Sequence, residues 1–176
     1  KECVEKKKIV LLKLSQGLIG EDNSYLLGSL FISKFNQVAL SRQQISKEKR
    51  HPFYIYMDEF QNFITPSITA MLSGVRKYGV GLVLAHQELS QIEEQKVLNS
   101  VISNPFTRIC FRLGDNDARK LETGFSFFEQ NDLQSLGTGE VIMRVGSSAN
   151  DFSLSTSKLT NQTNIEVKNF ILRLYF

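Results

Sequence analysis

The sequence predicts an α/β fold with a mainly parallel sheet and flanking helices. Short apolar runs typical of buried strands alternate with stretches whose apolar residues recur at helical spacing, as in successive βα units. Composition agrees, because 41% of the 176 residues are hydrophobic and 22% are charged, as in an ordinary globular protein. A chain of this length predicts a single domain over residues 1–176.

The strands are predicted from apolar runs that end at polar or glycine residues. The first three runs are aliphatic or aromatic almost throughout, which is typical of buried strands. A weaker alternation near the end of the chain predicts an edge strand. The predicted strands are Ile9–Leu12, Phe53–Met57, Gly81–Ala85, Thr107–Leu113, Gly139–Val145 and the edge strand Phe152–Leu159.

The helices are predicted where capping residues precede an apolar stripe. Asp22–Ser24 offers N-caps for a helix that runs to about Arg42. Proline suits the first helical position, so Thr65-Pro66 begins the next helix. The remaining predicted helices begin at the capping box Ser90–Glu93 and at the cap Asp115, and a last one covers residues 164–176. No apolar run approaches the length that crosses a bilayer.

Charge and cysteine content exclude several classes of protein. Lys+Arg 21 against Asp+Glu 18 gives a net charge of +3, too small to indicate nucleic-acid binding by itself. Cys3 and Cys110 stand in unlike contexts, so neither a disulfide framework nor a zinc site is indicated, and a reducing compartment fits. The basic stretch Arg42 to Arg50 is a candidate DNA-facing segment, although a solvated connection is the more common meaning of such a stretch.

Asp58 and Glu59 follow the second apolar run directly and form the most informative feature. Two adjacent carboxylates repel each other unless a cation or a proton-transfer task holds them together. In open α/β sheets, ligands bind at the carboxyl ends of the strands. The doublet therefore marks a candidate cation or proton-transfer site, and the alternative is a simply capped strand end. A hydrophobic strand ending in Asp-Glu resembles the Walker B element of P-loop ATPases.

The next predicted strand ends at His86 and Gln87. If the two strands are parallel neighbours, Gln87 lies beside Glu59. A neutral amide there is able to donate to a phosphate oxygen and accept from an attacking water. This arrangement resembles the glutamine sensor of RecA-like ATPases, whereas the alternative for Gln87 is strand capping. For His86 a hydrogen-bonding role is preferred, since no second histidine stands at metal-ligand spacing.

Arg76 and Lys77 stand at the end of the helix between these two strands. On one interpretation they complement the negative end of the helix dipole. On the other, Arg76 is an arginine finger that reaches the nucleotide of a neighbouring subunit and stabilises charge in the transition state.

Taken in order, several strings look like the C-terminal half of the HerA/FtsK superfamily of hexameric DNA-pumping ATPases. The branch they resemble most is the type IV secretion coupling proteins (TraG/TraD-like), which recruit DNA and drive it toward a conjugation channel. The resemblance extends from about Lys8 to Val145. It is carried by Gly17–Gly28, Phe53–Phe63, Arg76–Gly79, Leu84–Gln87, Thr107–Gly114 and Asp117-Ala118.

The resemblance implies a RecA-like fold that uses ATP and Mg²⁺. It implies that Asp58 holds Mg²⁺ through water, Glu59 is the general base and Gln87 senses the γ-phosphate. Arg76 is implied as the finger, with Arg108 and Arg112 as weaker candidates. It further implies a homo-oligomer, a hexamer with DNA at its centre, and secretion-channel or relaxosome proteins as partners. The implied location is cytoplasmic, at the inner face of the membrane if an anchor precedes the chain.

The P-loop that the family requires is missing from this sequence. No glycine is followed by lysine, so G-x-x-x-x-G-K-[ST] is absent. The chain is therefore expected to be the C-terminal, Walker B portion of a RecA-like motor domain, inactive alone, whose N-terminal half carries the P-loop. Because the P-loop strand lies between the third and fourth predicted strands in this family, both are expected to have open edges that another segment or protomer covers.

Three alternatives remain open at the level of the sequence. The chain could be a degenerate, non-catalytic ATPase-like module for assembly or partner docking, which explains the missing P-loop directly. It could belong to a HerA-type DNA repair translocase. A Mg²⁺-dependent nuclease built on the doublet would need further acids, and Asp115, Asp117 and Glu122 lie in another predicted element.

Overall fold

The computed structural model describes residues 1–157, which form two compact units that are described separately. Unit 1 comprises Lys1–Gln87 and Gln91–Ser100, and unit 2 comprises Glu88–Ser90 and residues 101–157. The helix predicted over residues 164–176 lies outside the described residues. A single domain over residues 1–176 stays a prediction.

Unit 1 is built on a two-stranded parallel sheet. Strand β1 (Phe53–Met57) pairs with β2 (Val80–Leu84) along its whole length, with Phe53 opposite Val80 and Met57 opposite Leu84. The predicted parallel pair of strands is therefore confirmed. Ile55 and Met57 of β1 are buried, whereas Tyr54 and Tyr56, which alternate with them, are exposed, so β1 buries only one face.

Helices accompany the parallel sheet, and two of them, which start at Glu21 and Pro66, begin near their predicted positions. Pro66 is the first residue of its helix, as predicted, and Gly79 in the left-handed region (φ 72°) ends the 3-10 turn that follows. The helices are α1 (Glu2–Glu5), α2 (Gln16–Ile19), α3 (Glu21–Ser41), α4 (Pro66–Gly74) and α5 (Gln95–Ser103). Single 3-10 turns cover Arg42–Gln44, Lys47–Lys49, Phe60–Phe63, Val75–Tyr78 and Leu89–Gln91. None of the helices within residues 1–157 combines the length and apolar character that crossing a bilayer requires.

The predicted strand Ile9–Leu12 is wrong. Among the residues that the structure describes, this segment has no ladder partner and forms no strand, and Ile9 and Leu11 are 74% and 55% exposed. A strand exists only where a second strand offers hydrogen-bonding groups, and an apolar run does not reveal whether one is available.

Two predicted helix caps are also wrong, because the polar side chains bond elsewhere. The N-cap of α3 is Gly20, while Asn23 Nδ2 donates to Ile19 O at 2.7 Å and Ser24 Oγ donates to Leu14 O at 3.0 Å. These two side chains tie the helix to the chain before it. The capping box fails because Ser90 Oγ donates to the Glu88 carboxylate at 2.9 Å, and α5 begins only at Gln95.

Arg42 binds the backbone just before the amino ends of both parallel strands. It is fully buried, and its Nη1 donates to Tyr78 O at 2.9 Å and Gly79 O at 3.3 Å. Its Nη2 donates to His51 O, and its Nε lies 3.3 Å from Glu5 Oε1. One guanidinium therefore joins the chain entering β1 to the chain entering β2.

Arg50 supports the same ends of the strands. Its Nε donates to Ile45 O at 2.8 Å and Arg42 O at 3.1 Å, and its Nη1 donates to Lys77 O. The basic stretch that the sequence offers as a solvated connection or DNA-facing segment thus uses both of its arginines to hold backbone carbonyls. Lys47 and Lys49, between them, are exposed.

Unit 2 contains a three-stranded antiparallel sheet in the order β3–β4–β5. Its strands are found near the predicted positions but are shorter, and within residues 1–157 parallel pairing occurs in unit 1 alone. The Asp115 side chain is not the cap of its helix, since Gly114 is the N-cap and Asp115 the first helical residue. The elements are β3 (Thr107–Cys110), α6 (Asp115–Leu121), a 3-10 turn at Glu122–Gly124, α7 (Gln130–Gln134), β4 (Glu140–Val145) and β5 (Asp151–Ser155).

Strands β2 and β3 do not pair with each other. Within residues 1–157, β2 pairs with β1 and β3 pairs with β4, so each keeps one open edge, as the sequence predicts. What covers these edges stays a prediction.

Candidate functional site

The acidic doublet and Gln87 lie together at the carboxyl ends of the two parallel strands, because β1 and β2 end side by side. The ladder continues for one step beyond the strands. Ala85 N donates to Met57 O at 2.9 Å, and Phe60 N donates to Ala85 O at 3.1 Å. The two loops that carry the polar side chains are thereby held next to each other.

The turn after β1 places Glu59 in an uncommon backbone conformation. Its φ of 49° and ψ of 44° lie in the left-handed region, which non-glycine residues rarely adopt. The next residue, Phe60, is fully buried and packs edge-to-face on the His86 ring, with the ring centroids 5.5 Å apart. This anchored neighbour and the ladder bond of its amide hold the strained residue in place.

Both carboxylate oxygens of Glu59 accept a hydrogen bond from a glutamine amide. Gln87 Nε2 donates to Oε1 at 2.6 Å, and Gln61 Nε2 donates to Oε2 at 2.6 Å. The structure thus brings Glu59 and Gln87, which are 28 residues apart in sequence, into direct contact. It adds Gln61, which the sequence analysis missed.

The two amides hold the pKa of Glu59 below its ordinary value. The hydrogen bond from Gln61 is the larger cause and that from Gln87 the second, while the charge of His86 adds to them and desolvation opposes them. A carboxylate with a lowered pKa is ionised at neutral pH. Glu59 is therefore present as a hydrogen-bond acceptor.

Asp58 is exposed at the same edge, and its Oδ1 accepts the backbone amide of Glu59 at 3.1 Å. Among residues 1–157, no group of three or more His, Cys, Asp and Glu side chains is arranged to hold a metal ion. Mg²⁺ does not need such a cage, since it keeps several waters and commonly takes one or two carboxylates together with substrate phosphates. A single exposed carboxylate at this edge fits that mode of binding.

Arg76 and Gln87 lie at opposite ends of strand β2. Arg76 belongs to the 3-10 turn Val75–Tyr78 that precedes β2, whereas Gln87 follows β2. A five-residue strand spans about 16 Å. The structure therefore does not bring Arg76 to Glu59 within one chain, and an Arg76 finger would have to act on another subunit's nucleotide.

The two weaker arginine candidates differ in environment. Arg108 is buried, its Nη2 donates to Ile102 O, and its guanidinium lies 6.0 Å from the centre of the Phe125 ring. It is thereby engaged within unit 2. Arg112 is exposed.

The acids that a nuclease would need hold the backbone or side chains of unit 2. Asp117 Oδ2 accepts Leu89 N at 2.8 Å, and Glu122 Oε2 accepts Gln130 N at 3.1 Å. The carboxylate of Asp115 accepts the Gln134 amide at 2.7 Å.

A groove of about 1220 Å³ runs along the open edge of β1 in unit 1. All five β1 residues and the segment that was predicted as the first strand line it, together with Asp58 and Glu59. Because consecutive β1 residues line the groove, the backbone edge as well as one face of the strand borders it.

Comparisons with known proteins bear on this geometry. Residues 52–122 match the family described as the TraM recognition site of TraD and TraG. No curated protein matches the chain. The matched segment includes Asp58, Glu59 and Gln87.

Solved structures share the fold at low sequence identity. The plasmid coupling protein TrwB in complex with the ATP analogue ADPNP is similar with a TM-score of 0.59 and 12% identity, over 81% of this chain and 39% of that one. The genome packaging NTPase B204 from Sulfolobus turreted icosahedral virus 2, in complex with AMPPCP, gives 0.56 and 18%, over 75% and 63%. VirB4 of Thermoanaerobacter pseudethanolicus gives 0.51 and 16%, over 73% and 37%.

These matches confirm two predictions from the sequence. The mixed α/β structure has the fold of RecA-like ATPases, and the resemblance to HerA/FtsK-type ATPases related to type IV coupling proteins is confirmed. The chain spans less than two thirds of the length of each of these three structures.

Proposed function

We propose that this chain is the Walker B half of an ATP-driven motor related to the coupling proteins of conjugative and type IV secretion DNA transfer. The observation that carries the proposal is the 2.6 Å hydrogen bond between Gln87 and Glu59 at the carboxyl edge of a parallel strand pair. The match of residues 52–122 to a coupling-protein family supports the conjugation-related class. ATP analogues bound to TrwB and B204 support ATP as the nucleotide.

The proposed chemistry assigns one task to each side chain of the site. Asp58 would hold Mg²⁺ through its water shell, and the ion would neutralise part of the phosphate charge of ATP, the substrate whose γ-phosphoryl group is transferred. Glu59 orients the attacking water and accepts its proton as general base. Gln87 donates its amide to the γ-phosphate. Since phosphoryl transfer relies mainly on positioning, an ionised carboxylate with a lowered pKa still serves the reaction by orienting water.

The rest of the motor would come from other parts of the assembly. The N-terminal half that carries the P-loop would supply the phosphate cradle that this sequence lacks. Arg76, at the other end of β2, would reach the nucleotide of a neighbouring subunit as an arginine finger. That arrangement would require a homo-oligomer, and we propose a hexamer around DNA by resemblance to the superfamily.

The proposed partners and location come from the same comparisons. A TraM recognition site in the matched family supports a relaxosome or secretion-channel protein as partner. We accordingly place the motor in the cytoplasm, at the inner face of the membrane if an anchor precedes the chain.

The test is Glu59→Gln in the complete motor, with Gln37→Ala as control. Gln37 lies on the exposed surface of α3, in the same unit but away from the site. General-base catalysis typically contributes about 100-fold to 10,000-fold. We expect turnover to fall by that factor in Glu59→Gln while ATP affinity and the control's turnover stay unchanged. Turnover within threefold of the wild type would refute the assigned base.

A non-catalytic module is the second candidate, and it would account directly for the absence of a Gly-Lys pair in residues 1–176. Such a module would dock partners without hydrolysing ATP. A Walker A motif upstream in the same reading frame, together with Glu59-dependent ATP turnover, would exclude it. A HerA-type repair translocase is the third candidate, and binding of relaxosome proteins to residues 52–122 would argue against it.

A further inference from the structure

Gln61 and Gln87 hold the same carboxylate from different places. Gln87 follows β2 and is exposed, whereas Gln61 lies in the turn just after Glu59 and is half-buried. Each donates one hydrogen bond of 2.6 Å, to Oε1 and Oε2 respectively. Glu59 is thus bound by one amide from its own turn and one amide from the neighbouring strand.

The Gln61 side chain has an unusual hydrogen-bonding state. Its Oε1 is buried and has no hydrogen-bond partner among residues 1–157. Buried polar atoms are nearly always satisfied, so an unsatisfied one calls for an explanation. The contact that orients the amide is its bond to Glu59, which indicates that Gln61 is placed for that carboxylate.

We propose that Gln61 is a positioning residue that holds Oε2 of Glu59, so that Oε1 stays presented at the sheet edge. This inference rests on the proposed function, in which Gln87 donates its amide to the γ-phosphate, and to do so the amide has to leave Oε1 of Glu59. At that moment the bond to Gln87 is lost, and Gln61 is what keeps the carboxylate oriented toward the water. One amide senses the phosphate and the other holds the base.

The local backbone explains why such a holder is needed. The left-handed backbone of Glu59 and the buried Phe60 fix the Cα atom of Glu59. They do not fix its long, half-buried side chain, which has several rotatable bonds. Gln61, two residues further on, reaches the carboxylate from a turn that the same buried Phe60 anchors.

The kinetic test uses Gln61→Met in the complete motor, because methionine keeps the length but donates no hydrogen bond. We expect kcat to fall about tenfold to 100-fold with KM for ATP unchanged, since misplacing a reacting group by about 1 Å costs up to about 100-fold. Gln61→Glu should lose more, because a second carboxylate repels Glu59. Gln37→Met is the matched control. A kcat within twofold of the wild type in Gln61→Met, or a change in KM alone, would overturn the positioning role.

A second readout is independent of turnover. In the chain of residues 1–176, Glu59→Ala should shift the side-chain amide NMR resonances of Gln61 and Gln87 and leave that of Gln37 in place. An unmoved Gln61 resonance would overturn the inference. If Gln61 responds but the complete wild-type motor does not hydrolyse ATP, the proposed function fails while the holding contact stands.

Discussion

The charged side chains at the two ends of the parallel strands in unit 1 have different kinds of hydrogen-bond partner. At the amino-terminal edge, Arg42 is fully buried and donates to backbone carbonyls. At the carboxyl edge, Glu59 is bound by side-chain amides, one of which is exposed. Each edge also has a residue in the left-handed region, and it is glycine (Gly79) at the first edge and Glu59 at the second.

Under the proposed function, this difference separates a structural use of charge from a catalytic one. Backbone carbonyls are permanent partners, so a buried guanidinium on them fixes the fold. Side-chain amides can exchange partners when a ligand arrives, so a carboxylate on them remains available. Glycine adopts the left-handed region without strain, whereas a glutamate held there is a feature that clusters at functional sites.

The largest expected effect is on the free energy of unfolding, when Arg42 is replaced at the amino ends of the strands. Arg42→Met keeps the buried volume but leaves the carbonyls of His51 and Tyr78 without their donor. Removing one partner from a buried charged network typically costs about 3–5 kcal/mol, and we expect that loss in the free energy of unfolding from urea denaturation. Lys47→Met, at an exposed site of the same stretch, should stay within about 0.5 kcal/mol. A loss below about 1 kcal/mol for Arg42→Met would contradict the structural role of Arg42.

A buried thiol in unit 2, that of Cys110, makes the stability of the chain depend on pH. Burial raises the pKa of the Cys110 thiol from about 9 to about 11. The unfolded chain therefore loses this proton first, so stability is retained below pH 9 and declines between pH 9 and pH 11. Two pKa units correspond to roughly 2–3 kcal/mol. Urea denaturation should show this decline in the wild type and a shallower one in Cys110→Ala; equal slopes would contradict it.

A smaller effect is expected at Gly79. A Cβ added there would stand in the left-handed region at φ 72°, 3.4 Å from Cβ of Arg50. Gly79→Ala should cost about 1–2 kcal/mol in the free energy of unfolding. Gly74→Ala is the control, since a Cβ at Gly74 meets nothing within 4 Å. If both glycines behave alike, the left-handed turn does not matter for stability.

The smallest effect is expected at Glu59. Glycine relieves the left-handed strain there and alanine does not, so Glu59→Gly should melt a few degrees above Glu59→Ala. Both variants should be inactive in the complete motor. A lower Tm for Glu59→Gly would show that the backbone at this turn is not strained.

Local sequence signals predicted much of the fold and the central pair of the site. The apolar runs before Asp58 and His86 predicted β1 and β2, and their parallel pairing predicted that Glu59 and Gln87 meet. The run Ile9–Leu12 failed because strand formation depends on a partner that the run itself does not specify. Side chains such as Asn23 and Ser90 failed as caps because they bond to other groups nearby.

The parts of the site that escaped prediction depend on tertiary contacts. Arg42 looked like one member of a basic stretch, and only the folded chain brings His51 and Tyr78 to its guanidinium. Gln61 carried a weak signal, a polar residue two positions after the acidic doublet. The sequence does not specify the left-handed turn at Glu59, and it is in this turn that the Glu59 carboxylate accepts the Gln61 amide.

A double-mutant cycle on ATP turnover by the complete motor tests most directly whether Glu59 and Gln87 form one site. The variants are Glu59→Ala, Gln87→Ala and both together. Residues that act as a unit are strongly non-additive, so the double variant should be no slower than the slower single variant. If the two single losses multiply in the double variant, the carboxylate and the amide act independently, and the account of a shared site is contradicted.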